Sequence, residues 1–132
     1  MLRYDIEPRS SETNATGHID HAVIPVWFEL ARAPIYKFFN PDMSFAAWNT
    51  VIRTMTIDYL GQVFHARMTE VKTRVGEIKN TSFTVEQELW QAGTKVAQGT
   101  TVIVYFDYQN HRKQEIPRTV RDKLLALQQR PD

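Results

Sequence analysis

Cysteine is absent from the chain, which excludes disulfides, thiolate metal sites and thiol nucleophiles together. A reducing cytoplasm fits that absence and is the expected location. An excess of either charge is missing too. Sixteen Lys and Arg against 15 Asp and Glu leave a net charge of +1, without the basic surface that nucleic acid requires. The start, Met1 to Pro8, lacks the apolar stretch of a signal peptide. The apolar segment 22–39 is interrupted by Pro25, Glu29, Arg32, Pro34 and Lys37, which makes it a poor membrane span. No internal repeat or low-complexity tract is visible, and 132 residues suit one domain, 1–132, able to bury a core without staples.

What is present is a clear change of period along the chain. Residues 2–10 form a short mixed strand candidate, followed by a polar turn over 10–20. Residues 22–39 then read as a helix, with Val23, Val26, Trp27 and Leu30 on one face and Ile24, Phe28, Ala31, Ile35 and Phe38 on the other. A helix apolar all round belongs in a core. Pro34 should kink or break it by clashing with the carbonyl of Leu30, and Asn40-Pro41-Asp42 should end it. Period-2 alternation follows in 51–60, more weakly in 65–75, and again in 83–89 and 96–106. Gly76 to Asn80 and Gly93 supply turns. Pro117 opens a last amphipathic helix with Val120, Leu124 and Leu127 on its buried side. The simplest packing of a strand, one buried helix, four strands meeting through hairpins and a terminal helix is an α+β layer structure, an antiparallel sheet with one face on the helix.

The densest chemistry lies in Glu12-Thr13-Asn14-Ala15-Thr16-Gly17-His18-Ile19-Asp20-His21, directly before the helix. Two histidines, two carboxylates and a carboxamide gather where a helix N-terminus presents free N–H groups and positive partial charge. That end of a helix naturally holds a polarised carbonyl or an anion.

This segment resembles the signature of the 4-hydroxybenzoyl-CoA thioesterase/YbgC-like family, roughly Asp-x-Asp-x-x-Gly-(His/Val)-(Val/Ile)-x-(Asn/His), followed by an aromatic helix with Glu-x-Ala-Arg, here Glu29-Leu30-Ala31-Arg32. Thr81-Ser82-Phe83, Val96-Ala97-Gln98-Gly99, and Val102 to Asp107 with Ile116-Pro117 match later family segments in order. The resemblance implies a hotdog fold, an antiparallel sheet wrapped around one central buried helix with a short C-terminal helix. It further implies hydrolysis of an acyl or aroyl thioester of coenzyme A or an acyl carrier, no resident cofactor or metal, and sites formed in a homodimer or homotetramer. Where the family carries its catalytic aspartate, this chain has Asn14.

A carboxamide is neutral and is neither base nor nucleophile, though it can orient water or donate to a carbonyl. Its structural role would be an Asx turn. Glu12, two residues earlier and on the same face of an extended segment, is a candidate replacement carboxylate; its structural alternative is a solvated charge or a partner for Arg9 or Arg32. Glu29 is a candidate base with a raised pKa if buried, or the i,i+3 partner of Arg32. His21 aligns with the histidine of YbgC-type members; its ring can act as acid or base and its N–H as an oxyanion donor. His18 is a turn or substrate contact. The resemblance places Lys79, Thr81 and Ser82 where relatives contact coenzyme A phosphates. Phe45 and Trp48 either line an acyl pocket or seal the core. His18, Asp20 and His21 match no established metal spacing. Hydrolysis of an acyl thioester is therefore the expected activity, and the alternative is a protein that binds acyl-CoA or an acyl-carrier partner without turnover.

Overall fold

The computed structural model of the chain describes residues 1–128. Strand β1 (Leu2–Ile6) is followed by a 3-10 turn (Ser10–Glu12), helices α1 (Val23–Ala31) and α2 (Ala33–Phe39), strands β2 (Thr50–Tyr59), β3 (Thr69–Ile78), β4 (Ser82–Gln91) and β5 (Thr94–Asp107), the short β6 (Arg112–Lys113) and helix α3 (Arg118–Ala126). All strand pairs are antiparallel, and the sheet runs β1-β3-β4-β5-β2, with β6 on the end of β5.

The expected 22–39 helix is two helices. The break falls at Arg32, which ends α1 and opens α2, because Pro34 has no N–H to return to Leu30 and its ring crowds that carbonyl. The face of Ile24, Phe28 and Ala31 is buried as anticipated. Of the other face Trp27 is buried, whereas Val26 and Leu30 are half exposed. The sheet covers one side of the helix and leaves the Val26 and Leu30 side open, so the helix of a single chain is not enclosed all round.

A second correction concerns connectivity. Strands β2 and β3 do not form a hairpin; β2 pairs with β5, and β1 pairs with β3. The connection 60–68 crosses the end of the sheet, anchored by buried Val63 and by Ile19 N–H donating to the Val63 carbonyl at 2.9 Å. The β3–β4 turn also lies later than expected. Strand β3 runs through Gly76 with a register shift before Ile78, and the turn is made by residues 79–81. The β4–β5 hairpin closes on Ala92 and Gly93, with φ of 50° and 77°, the left-handed pair that a two-residue turn requires.

Two packed clusters fill the concave side. Ile6, Ile19, Ile24, Trp27, Phe28, Val71, Leu89 and Ala97 form one; Ile35, Phe39, Val75, Phe83, Val85, Ile103 and Leu124 form the other. Gly99 lets helix and sheet approach, since a Cβ there would stand 2.9 Å from Phe28 Cε2. This seam fixes α1 so that its N-terminal end opens beside the polar turn.

Candidate active site

Asn14 opens a tight turn. Its carbonyl accepts from Gly17 N–H at 3.0 Å, and Gly17 takes the left-handed φ of 85° that closes it. The side chain makes the Asx turn: Oδ1 accepts from Thr16 N–H at 3.0 Å and from the Thr16 hydroxyl. A main-chain N–H can only donate, so the amide orientation is fixed. Oδ1 points back into the turn and the NH₂ points outward. Asn14 is thus a turn residue whose amide NH₂, not its Oδ1, is left to face away from the turn.

His18 packs edge-on against Phe64, ring centroids 5.1 Å apart, and its Nδ1 lies 3.2 Å from the Thr16 hydroxyl. His21 stands at the mouth of α1 with an exposed ring, Nδ1 3.4 Å from Asp20 Oδ1. Among the described residues no acceptor takes the His21 N–H, whereas the next three positions are accounted for. Ala22 and Val23 donate to Asp20, and Ile24 donates to the His21 carbonyl. The sequence reading missed Tyr59. Its hydroxyl donates to the His21 carbonyl at 2.9 Å, and its ring sits edge-on to the imidazole at 6.1 Å. Burial, and then the charge of Asp20, hold the phenol above its ordinary pKa, so it stays a donor at neutral pH. The signal was present, because Tyr59 closes the period-2 run of β2 on the face turned toward α1.

Asn14, Thr16, His18, His21, Tyr59 and Gln62 surround a cavity of about 180 Å³, closed at its base by Ile24, Val63 and Ala97. Among the described residues no carboxylate lines it. His18 Nδ1 faces Thr16 and His21 Nδ1 faces Asp20, so their donors diverge, and no three metal-ligating side chains converge among the described residues.

Glu12 lies elsewhere. Its Oε2 accepts from Trp27 Nε1–H at 2.8 Å, and its Oε1 accepts from Arg9 N–H at 2.8 Å and pairs with the Arg9 guanidinium at 3.3 Å. Burial alone would raise its pKa, but the Arg9 and Trp27 hydrogen bonds and the Arg9 charge outweigh that and hold it below the ordinary carboxylate value. Both oxygens are committed to joining the 3-10 turn to α1, the structural alternative of a partner for Arg9.

The expected Glu29–Arg32 pair does not form. Glu29 faces outward and is exposed, and no described ion pair includes it. Arg32 turns inward and is fully buried, with Nε donating to the Tyr36 hydroxyl at 3.0 Å and Nη1 to Gln87 Oε1 at 3.2 Å. The backbone is still helical at Arg32, whose N–H donates to the Phe28 carbonyl at 3.1 Å, so the pair is missing because the guanidinium is turned into the core by the Tyr36 hydroxyl and Gln87.

Lys79, Thr81 and Ser82 lie at the opposite end of the sheet. Ser82 pairs with Val104, whereas Ala97 at the base of the Asn14 cavity pairs with Leu89; at ~3.3 Å per residue these are roughly 23 Å apart along the strand. Lys79 is exposed on the turn, and its carbonyl accepts from Arg121 at 2.8 Å. One chain does not bring this group to Asn14.

The sequence profile of the thioesterase-like superfamily matches residues 8–124. No curated protein matches the chain at a significant level. Among solved structures, a predicted thioesterase from Bacillus stearothermophilus is 39% identical, with a TM-score of 0.95 over 99% of this chain and 98% of that one. A thioesterase from Thermus thermophilus, solved with coenzyme A and zinc, is 24% identical, with a TM-score of 0.83 over 93% of this chain and 96% of the other. The DHNA-CoA thioesterase of Staphylococcus aureus shares the fold at 21% identity and a TM-score of 0.80, over 96% and 91% of the two chains. With its sheet curled around α1 and its profile match across nearly the whole chain, this protein belongs to the thioesterase-like superfamily and has the hotdog fold.

Proposed function

We propose that the protein hydrolyses an acyl thioester of coenzyme A or an acyl carrier at the Asn14–His21 corner, acting as a homodimer. The observation that supports this most is that Asn14, with its amide NH₂ outward, and His21, whose N–H has no acceptor among the described residues, line one cavity at the start of α1. Both are donors, and donors aimed at a carbonyl oxygen stabilise the negative charge that develops when water adds to it. His21 is the base. Its ring is exposed to the cavity, and Asp20 lies against Nδ1, which leaves Nε2 for a water proton. Water adds to the thioester carbon, the tetrahedral oxyanion forms against Asn14 and His21, and the carbon–sulfur bond breaks. The proton held by His21 passes to the departing thiolate, leaving a free acid and a thiol.

The dimer rests on the free edge of β2. Ten residues long, it exposes main-chain groups beside Val51, Met55 and Tyr59, and a long apolar edge is a template for pairing. Antiparallel pairing of two β2 strands would set the Thr50 end of one against the Tyr59 end of the other. That brings the partner subunit's 79–81 turn to the end where Asn14 lies, which gives Lys79, Thr81 and Ser82 a role in holding the coenzyme A moiety. Glu12 serves this site as a brace through Trp27, and Glu29 faces a neighbouring cavity.

A second reading has its own observation: among the described residues no carboxylate lines the Asn14 cavity. On that reading the protein binds acyl thioesters without turnover. Coenzyme A release from a panel of aliphatic and aromatic acyl-CoAs separates the two. Turnover by the native chain that is lost in His21→Ala supports the enzyme. A silent native chain, with activity gained in Asn14→Asp, supports the binding protein. The second variant is clean because an aspartate Oδ1 can still accept from Thr16 N–H.

A further inference from the structure

Beside Glu29 the structure holds a larger cavity, about 730 Å³, between the α1–α2 junction, the loop after α2 and the start of β2. Leu30, Ile52, Tyr36, Phe45, Trp48 and Tyr108 supply most of its wall. Three of the aromatic side chains form a continuous row. Phe45 sits edge-on to Trp48 at 6.3 Å, and Trp48 lies 5.5 Å from Tyr36. Phe45 is 91% exposed although it is a phenylalanine, so it contributes nothing to the packed core and stands at the cavity rim with one face open. Among the described residues Glu29 is the only charged one in the lining, and its carboxylate has no cation in any described ion pair, because Arg32 is turned into the core.

The cavity lies along the same helix and strand as the reactive corner. Helix α1 runs antiparallel to β2, His21 beside Tyr59 at one end and Leu30 beside Ile52 at the other. Between them stand Val26 on the helix and Met55 on the strand, 54% and 37% exposed. Along α1 the distance from His21 to Leu30 is about 13 Å at ~1.5 Å per residue. Val26 and Met55 thus put apolar surface between the reactive corner and the aromatic cavity, and in the proposed dimer the second copy lies over it.

We infer that this cavity receives the acyl group, that it takes a neutral apolar chain or ring, and that Glu29 excludes acyl groups bearing a distal carboxylate. This rests on the proposed acyl-thioester reading and names the acyl class for it. Apolar walls favour a chain that leaves water. A second carboxylate brought beside Glu29 meets like-charge repulsion, and it gives up hydration to apolar walls with no cation in return.

Binding of non-hydrolysable thioethers tests the inference without requiring turnover. S-octyl-coenzyme A, S-(4-carboxybutyl)-coenzyme A and coenzyme A itself are titrated into the native protein by calorimetry. S-octyl-coenzyme A should bind on the order of 100-fold more tightly than coenzyme A, while the carboxylated analogue gains nothing over it. Phe45→Ala, at a position too exposed to matter for folding, should weaken the octyl compound roughly 5- to 10-fold and leave coenzyme A unchanged. Glu29→Gln should narrow the gap between octyl and carboxybutyl compounds by about 10-fold. Equal affinity for the two analogues in the native protein, or an unaltered gap in Glu29→Gln, overturns the inference. Octyl affinity unmoved by Phe45→Ala overturns the aromatic cavity as the acyl site and leaves another surface, such as the β2 face buried between two copies, as the place where the chain lies. If coenzyme A and all its thioethers fail to bind, the acyl-thioester reading itself falls, an outcome distinct from binding without discrimination.

Discussion

The Tyr59 hydroxyl donates to the main-chain carbonyl of His21 at 2.9 Å. The far side of the same peptide is held as well, since Ala22 N–H donates to Asp20 Oδ2 at 3.3 Å. A strand residue and a turn residue thus clamp the peptide that begins α1, and with it the direction of the His21 ring.

Tyr59→Phe removes that hydrogen bond and keeps the edge-on ring contact. The bond is exposed, so unfolding free energy should fall by less than about 1 kcal/mol. Catalysis should suffer more, because a base displaced by a fraction of an ångström loses rate steeply: kcat is expected to fall about 10-fold with KM nearly unchanged. The pH dependence has a definite sign. Since the folded pKa of Tyr59 is raised above 10.0, its contribution to stability is present below about pH 10 and is lost as pH rises through the folded value. Urea denaturation from about pH 8 upward, until the titration of the folded protein is passed, with steady-state kinetics on both proteins, checks each part.

Glu12 predicts the opposite pH behaviour. Its side chain is only 9% exposed and holds both Arg9 and the Trp27 indole. Its folded pKa lies below the ordinary 4.5, so its stabilisation is complete above that value and disappears as pH falls through the folded pKa. Glu12→Ala leaves the indole N–H without its acceptor and should cost roughly 1.5–3 kcal/mol near neutral pH. The difference between native and variant should shrink at about pH 3, as read from urea midpoints at the two values. An unchanged difference would show that the Trp27 contact alone carries the effect.

How far the sequence disclosed this molecule depends on the kind of interaction involved. The α1 break was legible because proline acts locally, through a missing N–H and a ring clash. The strands were legible because side-chain alternation has a fixed period of two. The Asx turn at Asn14 was legible for the same local reason. Partners set by packing across the fold were not legible. Arg32 bonds to Gln87, 55 positions away, and Tyr59 to His21, 38 positions away; no spacing rule relates either pair. The separation of Lys79 from Asn14 was equally hidden, since it follows from which strand ends meet.

Arg32 offers a test of that long-range network. Its guanidinium is fully buried, its Nη2 has no partner among the described residues, and its neighbours are the Tyr36 hydroxyl and Gln87, which itself donates to the Phe28 carbonyl at 2.9 Å and to Thr73. Removing the arginine alone strands the Gln87 oxygen in a dry site, so Arg32→Met should destabilise by about 1–3 kcal/mol. Gln87→Leu alone strands Nη1 of a buried cation and should cost more, on the order of 3–5 kcal/mol. The double variant should be less destabilised than the sum of the two, with a coupling of about 1–3 kcal/mol. Chemical denaturation of all four proteins measures it, and simple additivity would mean that the contacts do not act as a unit.

The edge of β2 carries the last prediction. Its inward side exposes Ile52, Met55 and Tyr59, and α1 exposes Val26 and Leu30 beside them. In one chain these side chains lie open to water, and burying them against a second copy would return about 25 cal/mol for each square ångström of apolar surface covered. A lysine at the centre of such a contact faces its own symmetry mate, because a two-fold interface brings the same patch together. Met55→Lys should therefore shift the protein from dimer to monomer in light scattering while its melting behaviour becomes independent of concentration. Because Met55 is already partly exposed in the single chain, the variant fold itself should persist, with an unchanged far-ultraviolet spectrum. If the dimer is required for catalysis, acyl-CoA hydrolysis should fall with it. A dimer that survives Met55→Lys would place the contact elsewhere and remove the route by which Lys79 reaches the Asn14 corner.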